Sequence, residues 1–183
     1  MNKHTPLRPW RQRSSRTVFA NDWLRIDIDA VETPDGKTYD YTLIRSGRHG
    51  AAILAYDARG RVLLEREFRY PVGRVIWQLP GGLLDANETP LAAAQRELAE
   101  ETGHVAENWR LLGSIWDNPA FEDMQIYIFV AENAHLAGPT HSDEHEWVEC
   151  EWVEIDWLKA RVRSGEIKER VLLAALGFLW AES

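Results

Sequence analysis

The chain has little of what secreted and membrane proteins depend on. It contains a single cysteine, Cys150, which excludes an internal disulfide bond. No apolar run approaches the roughly 20 residues that a membrane-spanning helix needs, because charged residues interrupt the longest candidates. The first residues also lack the continuous apolar stretch of a secretory signal peptide. We therefore expect a cytoplasmic protein with no membrane partner.

Positive charge is also scarce. Lys and Arg number 21 against 29 Asp and Glu, so the formal net charge is −8 at pH 7. Proteins that bind nucleic acids draw much of their affinity from clustered Lys and Arg, so this balance disfavours a nucleic-acid partner. An anionic small molecule would meet the same repulsion unless a bound metal and a local group of arginines offset it.

A basic stretch from Arg8 to Arg16 is the exception to this acidic balance. Apart from Trp10, no aromatic residue is interleaved with it for stacking on bases, which favours a mobile tail over an RNA- or partner-binding arm. We predict a flexible basic tail at residues 1–16, a small β annex at 17–45 and a main domain at 46–183.

Alternation of apolar and polar residues predicts strands along most of the chain, and helical periodicity appears near its end. The annex combines a strand within residues 17–31, a turn at Thr33-Pro-Asp-Gly36 and a returning strand at 39–44. The predicted strands of the main domain are 51–56 and 61–68, taken as a hairpin, then 75–79, 109–116, 124–131 and 146–155, and the predicted terminal helices are 157–163 and 168–180. Strands interleaved with a few helices indicate an α/β sandwich.

One further helix is bounded by strong local signals. Thr89 is a suitable N-cap, Pro90 suits the first helical position, and Gly103 is a natural residue just past the end. The spacing therefore predicts a helix over residues 90–102. Its apolar residues gather on one side, which we expect to pack against a sheet.

The opposite face of this helix is acidic. Glu97, Glu100 and Glu101 are surface neighbours there, and their like charges repel one another. A hard divalent cation such as Mg²⁺ or Mn²⁺ would offset that repulsion while keeping water and substrate phosphates in its shell. The alternative is a solvated acidic surface, but that alternative gives no role to the nearby glycines and arginine.

The helix and the loop before it follow a longer pattern. A glycine is followed after five residues by Glu, after seven more by Arg-Glu-apolar-any-Glu-Glu, and then by a second glycine. The residues on the pattern are Gly82, Glu88, Arg96, Glu97, Leu98, Glu100, Glu101 and Gly103. The segment resembles the Nudix box, and the resemblance implies a Nudix-type α/β/α sandwich with a small N-terminal antiparallel β annex.

The resemblance extends upstream of the box. The segments Glu65-Arg-Glu-Phe-Arg69 and Gln78-Leu-Pro-Gly-Gly-Leu-Leu-Asp85 are similar to those of the ADP-ribose pyrophosphatase branch, which commonly has Gln-Tyr/Phe-Arg before Glu-Leu/Phe-Pro-Ala-Gly. This similarity implies a metal-dependent pyrophosphohydrolase that acts on a nucleoside diphosphate linked to a sugar. The substrate that it favours is ADP-ribose, which would give AMP and ribose 5-phosphate. The alternatives are GDP-mannose or another NDP-sugar as substrate, and a non-catalytic nucleotide-sugar sensor. A sensor would be expected to have lost the box glutamates, which are intact here.

Roles in metal binding and catalysis follow from the resemblance. It implies that Mg²⁺ or Mn²⁺ is bound by the Gly81 carbonyl and by Glu97, Glu100 and Glu101. It also implies that Arg96 and Glu88 form a buried ion pair that supports the box. A further catalytic carboxylate would come from an acidic loop, as Glu144 or Glu146, with Glu100 assisting.

The resemblance also implies a substrate pocket and a homodimer to which the annex contributes. Arg69 would grip the diphosphate, and Pro119 would lie on the loop over the terminal ribose. Trp23 and Tyr41 would sandwich adenine, although a role in the core explains these aromatics equally well. The chain departs from the family pattern at Gln78, His104 and Ala120. None of these departures removes a metal ligand, but Gln78 and Ala120 affect the substrate side.

Overall fold

The computed structural model describes residues 7–45, 47–140 and 147–182. The strands are β1 (Arg11–Ala20), β2 (Arg25–Glu32), β3 (Thr38–Ile44), β4 (Gly50–Ala55), β5 (Val62–Arg69), β6 (Arg74–Gln78), β7 (Gly81–Leu83), β8 (His104–Val105), β9 (Asn108–Trp116), β10 (Gln125–Glu132), β11 (His135–Leu136) and β12 (Val148–Val153). The helices are α1 (Pro90–Thr102), α2 (Ile155–Ser164) and α3 (Arg170–Ala181), with a 3-10 turn at Tyr70–Val72. None of the helices in these ranges is long and apolar enough to cross a membrane.

The chain packs as two compact units. The first unit contains β1, β2 and β3 together with residues 117–124, and the second contains the remaining strands and all three helices. In the first unit the strands form one antiparallel sheet in the order β1-β2-β3. The predicted turn between β2 and β3 is present, since the Gly36 N–H donates to the Thr33 carbonyl at 2.9 Å.

Strand β1 corrects the predicted tail. It begins at Arg11 and pairs with β2, so the prediction of a flexible tail was wrong for residues 11–16. All ten residues of β1 are exposed. An edge strand without a buried face shows no apolar alternation in its sequence, which is why the pattern did not predict it.

Strand β2 buries its acidic face. Asp27 and Asp29 are 1% and 5% exposed, whereas the isoleucines beside them are only half-buried. Arg25 binds Asp27 through two hydrogen bonds of 2.9 and 2.8 Å, and Arg45 binds Asp29 at 2.9 Å. These arginines supply the pairing that a buried carboxylate requires. The hydrogen bonds with Arg25 and Thr17 hold the pKa of Asp27 below its ordinary value, although burial acts in the opposite direction.

The second unit is built around a mixed sheet in the order β7-β4-β10-β9, in which β4 and β10 are parallel. A second, antiparallel sheet has the order β12-β5-β6, and β8 pairs with β11. All six residues of β4 are buried, as expected for a strand that is covered on both faces. Helix α1 packs on β4 and β7, and α3 packs on β9 and β10.

The predicted hairpin of residues 51–68 needs a correction. A turn at residues 57–60 does connect β4 to β5, but the two strands lie in different sheets. Their direct pairing is limited to an isolated bridge between Tyr56 and Val62. Strand β4 already has β7 and β10 as its neighbours, so β5 pairs with β6 and β12 instead.

Candidate active site

Helix α1 has the bounds that its capping residues predict. The Thr89 side chain accepts a hydrogen bond from the Ala92 N–H at 3.2 Å, and Gly103 ends the helix in the left-handed conformation with φ 70°. Leu98 and the alanines of the apolar face are buried against β4. The glutamates on the opposite face of α1 are half-buried.

Arg96 ties α1 to the loop that precedes it. Its guanidinium donates to both carboxylate oxygens of Glu88, at 3.1 and 2.9 Å, and to the Leu83 carbonyl at 3.0 Å. The hydrogen bond with Arg96 is the main cause that lowers the pKa of Glu88. The two side chains are 27% and 15% exposed, so the ion pair expected between Arg96 and Glu88 is present and partly buried.

Arg96 also reaches two of the predicted metal ligands. Its Nη1 atom lies 2.8 Å from Glu97 Oε1 and 3.0 Å from Glu100 Oε2. The repulsion among the helix glutamates, from which we inferred a bound cation, is therefore offset in part by this arginine. Repulsion alone consequently does not require a metal here.

The two glycines before α1 lie where any side chain would clash with neighbouring atoms. A Cβ atom on Gly82 would lie 2.4 Å from Glu97 Oε1, and one on Gly81 would lie 2.2 Å from the Ala51 carbonyl oxygen. The Gly81 N–H donates to Glu101 Oε2 at 2.8 Å. The Gly81-Gly82 backbone thus lies directly against the carboxylates of Glu97 and Glu101, which brings together three of the four predicted metal-binding residues.

The donors around these glycines fit a hard cation. The carboxylates of Glu97, Glu100 and Glu101 and the carbonyl of Gly81 are oxygen ligands, which Mg²⁺ and Mn²⁺ prefer. The carboxylate oxygen Oε1 of Glu65 is buried and has no hydrogen-bond partner within the described ranges, as a missing cation would leave it. Within those same ranges, no three acidic, histidine or cysteine side chains already converge as a preformed cluster.

Arg69 lies in a second polar group beside these residues. Its Nη2 atom is 3.0 Å from Glu67 Oε2, and its Nε donates to the Gln78 side-chain oxygen at 3.1 Å. Gln78 in turn donates to Glu67 at 2.9 Å. In the family pattern, Gln stands two residues before the arginine and Glu stands two residues before the proline. In this chain Glu67 occupies the first of these positions and Gln78 the second. The acid that pairs with Arg69 in this chain is therefore Glu67.

Glu65 is a site residue that the sequence analysis did not select. It lies on β5 with no exposed surface, and its Cα partners are Gln78 on β6 and Cys150 on β12. Burial raises the pKa of the Glu65 carboxyl to about 7, and the negative charge of Glu67 adds to this, whereas contacts with Gln78 and Glu101 oppose it. The signal that could have revealed it is an acid directly after the apolar run Val62-Leu-Leu.

The first unit has a pocket of its own, with a volume of about 380 Å³. Tyr41 and Pro119, both predicted to bind substrate, line it, and the Tyr41 hydroxyl donates to the Ala120 carbonyl at 2.7 Å. Trp23 is not among its lining residues. Trp23 is 85% exposed, which excludes the alternative that it belongs to the core of this chain. Glu144 and Glu146 lie outside the described residues.

Comparison with protein families decides the assignment. Residues 47–174 match the NUDIX domain, and residues 10–44 match the nucleoside diphosphate sugar hydrolase N-terminal domain. The chain belongs to the Nudix family. The predicted family, the α/β fold with an antiparallel N-terminal sheet, and the assignment as a hydrolase enzyme are confirmed.

Individual relatives agree with this assignment. The chain is 30% identical over 164 residues to an ADP-ribose pyrophosphatase of Bacillus subtilis, covering 88% of both proteins. It is 34% identical over 144 residues to a CMP-5'-(N-acetyl-N-hydroxy-3-aminopropyl)phosphonate hydrolase of Streptomyces rubellomurinus, covering 76% of this chain and 69% of that protein. A crystal structure of an ADP compounds hydrolase superimposes with a TM-score of 0.87 over 97% of this chain and 95% of that one, at 20% identity, which supports the fold alone.

Proposed function

We propose that this Nudix hydrolase cleaves the diphosphate of ADP-ribose to AMP and ribose 5-phosphate with the help of Mg²⁺ or Mn²⁺. The observation that carries the proposal is the contact of Glu97 and Glu101 with the Gly81-Gly82 backbone. This contact supports a set of oxygen ligands formed by helix α1 and the loop before it. The similarity to an ADP-ribose pyrophosphatase over 88% of both chains supports ADP-ribose as the substrate.

We assign metal binding to the Gly81 carbonyl and to Glu97, Glu100 and Glu101. A divalent cation held there would neutralise the diphosphate and lower the pKa of a bound water. Arg96 supports these ligands by holding Glu97 and Glu100 beside the loop that Glu88 closes. Glu144 or Glu146, with Glu100 assisting, is assigned the orientation or deprotonation of the attacking water.

We assign substrate binding to Arg69, Tyr41, Pro119 and Trp23. The guanidinium of Arg69 is a planar fork that suits two phosphate oxygens, and its side chain is half exposed for that contact. Tyr41 and Pro119 offer a pocket of a size that suits one ribose or one base. Trp23 offers an exposed aromatic face that suits adenine.

We further propose that the enzyme is a cytoplasmic homodimer in which the annex serves the partner's pocket. Several aromatics in the N-terminal part of the chain are exposed on one chain, as a buried dimer interface would require: Trp10, Phe19, Trp23 and Tyr39. A measurement of molar mass in solution tests this statement. A monomeric mass at micromolar concentration would contradict it.

A second candidate is the same hydrolysis on another nucleotide conjugate, such as GDP-mannose or another NDP-sugar. The similarity to a hydrolase of a CMP-linked phosphonate favours keeping this alternative, since that protein is named for a pyrimidine nucleotide.

A panel of substrates decides between these functions. ADP-ribose, GDP-mannose and other NDP-sugars are incubated with enzyme and Mg²⁺ or Mn²⁺, and the released phosphomonoesters are converted to inorganic phosphate by alkaline phosphatase. We expect the highest kcat/KM for ADP-ribose. A higher kcat/KM for another conjugate would show that this conjugate, and not ADP-ribose, is the preferred substrate. If no phosphate is formed from any conjugate, the hydrolase proposal is contradicted.

A further inference from the structure

Glu65 occupies an unusual position for an acid. It lies in the central strand of the β12-β5-β6 sheet, flanked by Cys150 on one side and Gln78 on the other. The residue has no exposed surface, and the leucine before it is equally buried. Carboxylates in such positions are paired or bound to a metal, because an isolated buried charge is costly.

The local hydrogen bonds do not satisfy this carboxylate. Gln78 donates to its Oε2 atom over a long distance of 3.4 Å and to Glu67 over a shorter 2.9 Å. The Oε1 atom of Glu65 has no partner in the ranges that the structure describes. The nearby cation, Arg69, directs its hydrogen bonds to Glu67 and Gln78 instead.

The neighbour that Glu65 faces is a predicted metal ligand. The carboxyl groups of Glu65 and Glu101 lie close enough to interact electrostatically, and neither offers a donor when it is ionised. The Glu101 backbone is close to the same place, since its carbonyl oxygen lies 3.9 Å from the thiol of Cys150, the Cα partner of Glu65. Two carboxylates in contact need a cation or a shared proton between them.

We propose that Glu65 is a further carboxylate ligand of the divalent cation that Glu101 binds. This inference rests on the proposed metal-dependent function. It assigns the buried acid of β5 to the metal centre, in addition to the glutamates of α1 and the Gly81 carbonyl. It gives the unsatisfied oxygen a partner and explains why a buried acid directly follows the buried apolar residues Val62, Leu63 and Leu64.

The competing explanation is a proton shared between Glu65 and Glu101. The variant Glu65→Gln separates the two, because the amide can donate a hydrogen bond to Glu101 as a protonated acid would but is a much poorer ligand for a hard cation. The measurement is Mn²⁺ affinity of the whole protein without substrate, from the electron paramagnetic resonance signal of free Mn²⁺. Glu97→Gln is the positive control, because it removes a predicted ligand of the metal centre. Glu149→Gln, at an exposed acid on β12, is the matched negative control.

We expect Glu65→Gln to weaken Mn²⁺ binding at least about tenfold, since even outer residues of metal sites change affinity by that factor. Glu149→Gln should leave the affinity unchanged. If Glu97→Gln weakens binding but Glu65→Gln does not, the inference is overturned while the proposed function stands. If neither variant changes the affinity, the metal centre of the proposed function is overturned with it.

Thermal melting checks that the variants are folded. Without metal, Glu65→Gln should melt at the wild-type temperature or above it, because it removes a buried charge that lacks a partner. With Mn²⁺ it should gain less stability than the wild type, since the stabilisation by a bound metal grows with the logarithm of its concentration divided by Kd. The variant Glu65→Asp keeps the charge but shortens the side chain, and it should also bind Mn²⁺ more weakly than the wild type. Wild-type affinity in both variants would contradict the proposal.

Discussion

Arg96 and Glu88 form a two-point ion pair that closes the loop before α1, with Nε–Oε1 and Nη2–Oε2 distances of 3.1 and 2.9 Å. The same guanidinium holds Glu97 and Glu100. One side chain therefore fixes the loop that carries Gly81 and Gly82 and orients two glutamates of the candidate metal site. We therefore expect a change at Arg96 to affect both stability and metal binding.

Replacing Arg96 with alanine should lower both stability and activity. Its carboxylate and carbonyl partners would lose charge-assisted hydrogen bonds, at a cost of about 2 to 3 kcal/mol. For a chain of this size each kcal/mol corresponds to about 2 to 4 °C in Tm, which calorimetry resolves easily. The control is Arg110→Ala, which removes an exposed pair with Glu182 and should change Tm little. Equal melting temperatures for wild type and Arg96→Ala would show that the pair does not hold the loop.

The variant Gly82→Ala should displace Glu97. An alanine Cβ would lie 2.4 Å from Glu97 Oε1, so the carboxylate must move away from the Gly81-Gly82 backbone. A shift of about 1 Å at a catalytic group can reduce the rate by roughly a hundredfold. We expect a loss of that order in kcat/KM, with weaker Mg²⁺ activation. Gly138→Ala is the control, because its Cβ would meet nothing within 4 Å, and similar kinetics for both variants would contradict the assignment.

The buried Asp27 should make the first unit sensitive to acid. The hydrogen bond from Arg25 is the largest cause that lowers the Asp27 pKa. A carboxyl with a lowered folded-state pKa contributes stability that is complete above its unfolded pKa, about 3.9, and that is lost as the pH falls through the folded value. As the pH is lowered from 6 to 3, the Tm of the wild type should therefore decrease more steeply than the Tm of Asp27→Asn. If Tm decreases equally with pH in both proteins, Asp27 does not contribute to the sensitivity to acid.

The exposed Trp23 offers a test of adenine binding. Stacking of a base on an aromatic is worth about 1 to 3 kcal/mol, so Trp23→Ala should raise KM for ADP-ribose by roughly fivefold to a hundredfold. The effect on kcat should be small, because ground and transition states lose the same contact. Tm should change little, since the side chain is 85% exposed. The variant Trp180→Ala, a partly exposed tryptophan of α3, is the control. An unchanged KM in Trp23→Ala would remove this residue from the substrate site.

The sequence allowed α1 to be predicted to the residue. Its N-cap, first-turn proline and terminal glycine are local signals, and all of them agree with the apolar period. The Nudix pattern identified the family for the same reason, because its residues are fixed within a short segment. Features that depend on residues close together in the chain can therefore be predicted from a single sequence.

Other features depend on partners that are distant along the chain. Strand β1 has no buried face, so only its pairing with β2 defines it. The burial of Asp27 depends on Arg45 as well as on the adjacent Arg25, which lies on the same strand. The burial of Glu65 and its nearness to Gln78 and Glu101 follow only from the placement of β5 in its sheet. None of these relationships has a fixed spacing in the sequence.

Turnover of ADP-ribose by Glu101→Gln at saturating Mg²⁺ tests the account most directly. The glutamine oxygen can still accept the hydrogen bond from the Gly81 N–H, so the fold should be kept while the ligating charge is lost. Metal stabilisation of the transition state is worth several kcal/mol, so we predict that kcat/KM falls by roughly a hundredfold to a thousandfold or more, while Glu149→Gln stays at the wild-type value. A kcat/KM for Glu101→Gln equal to that of the wild type would contradict the metal-dependent hydrolysis proposed for this protein.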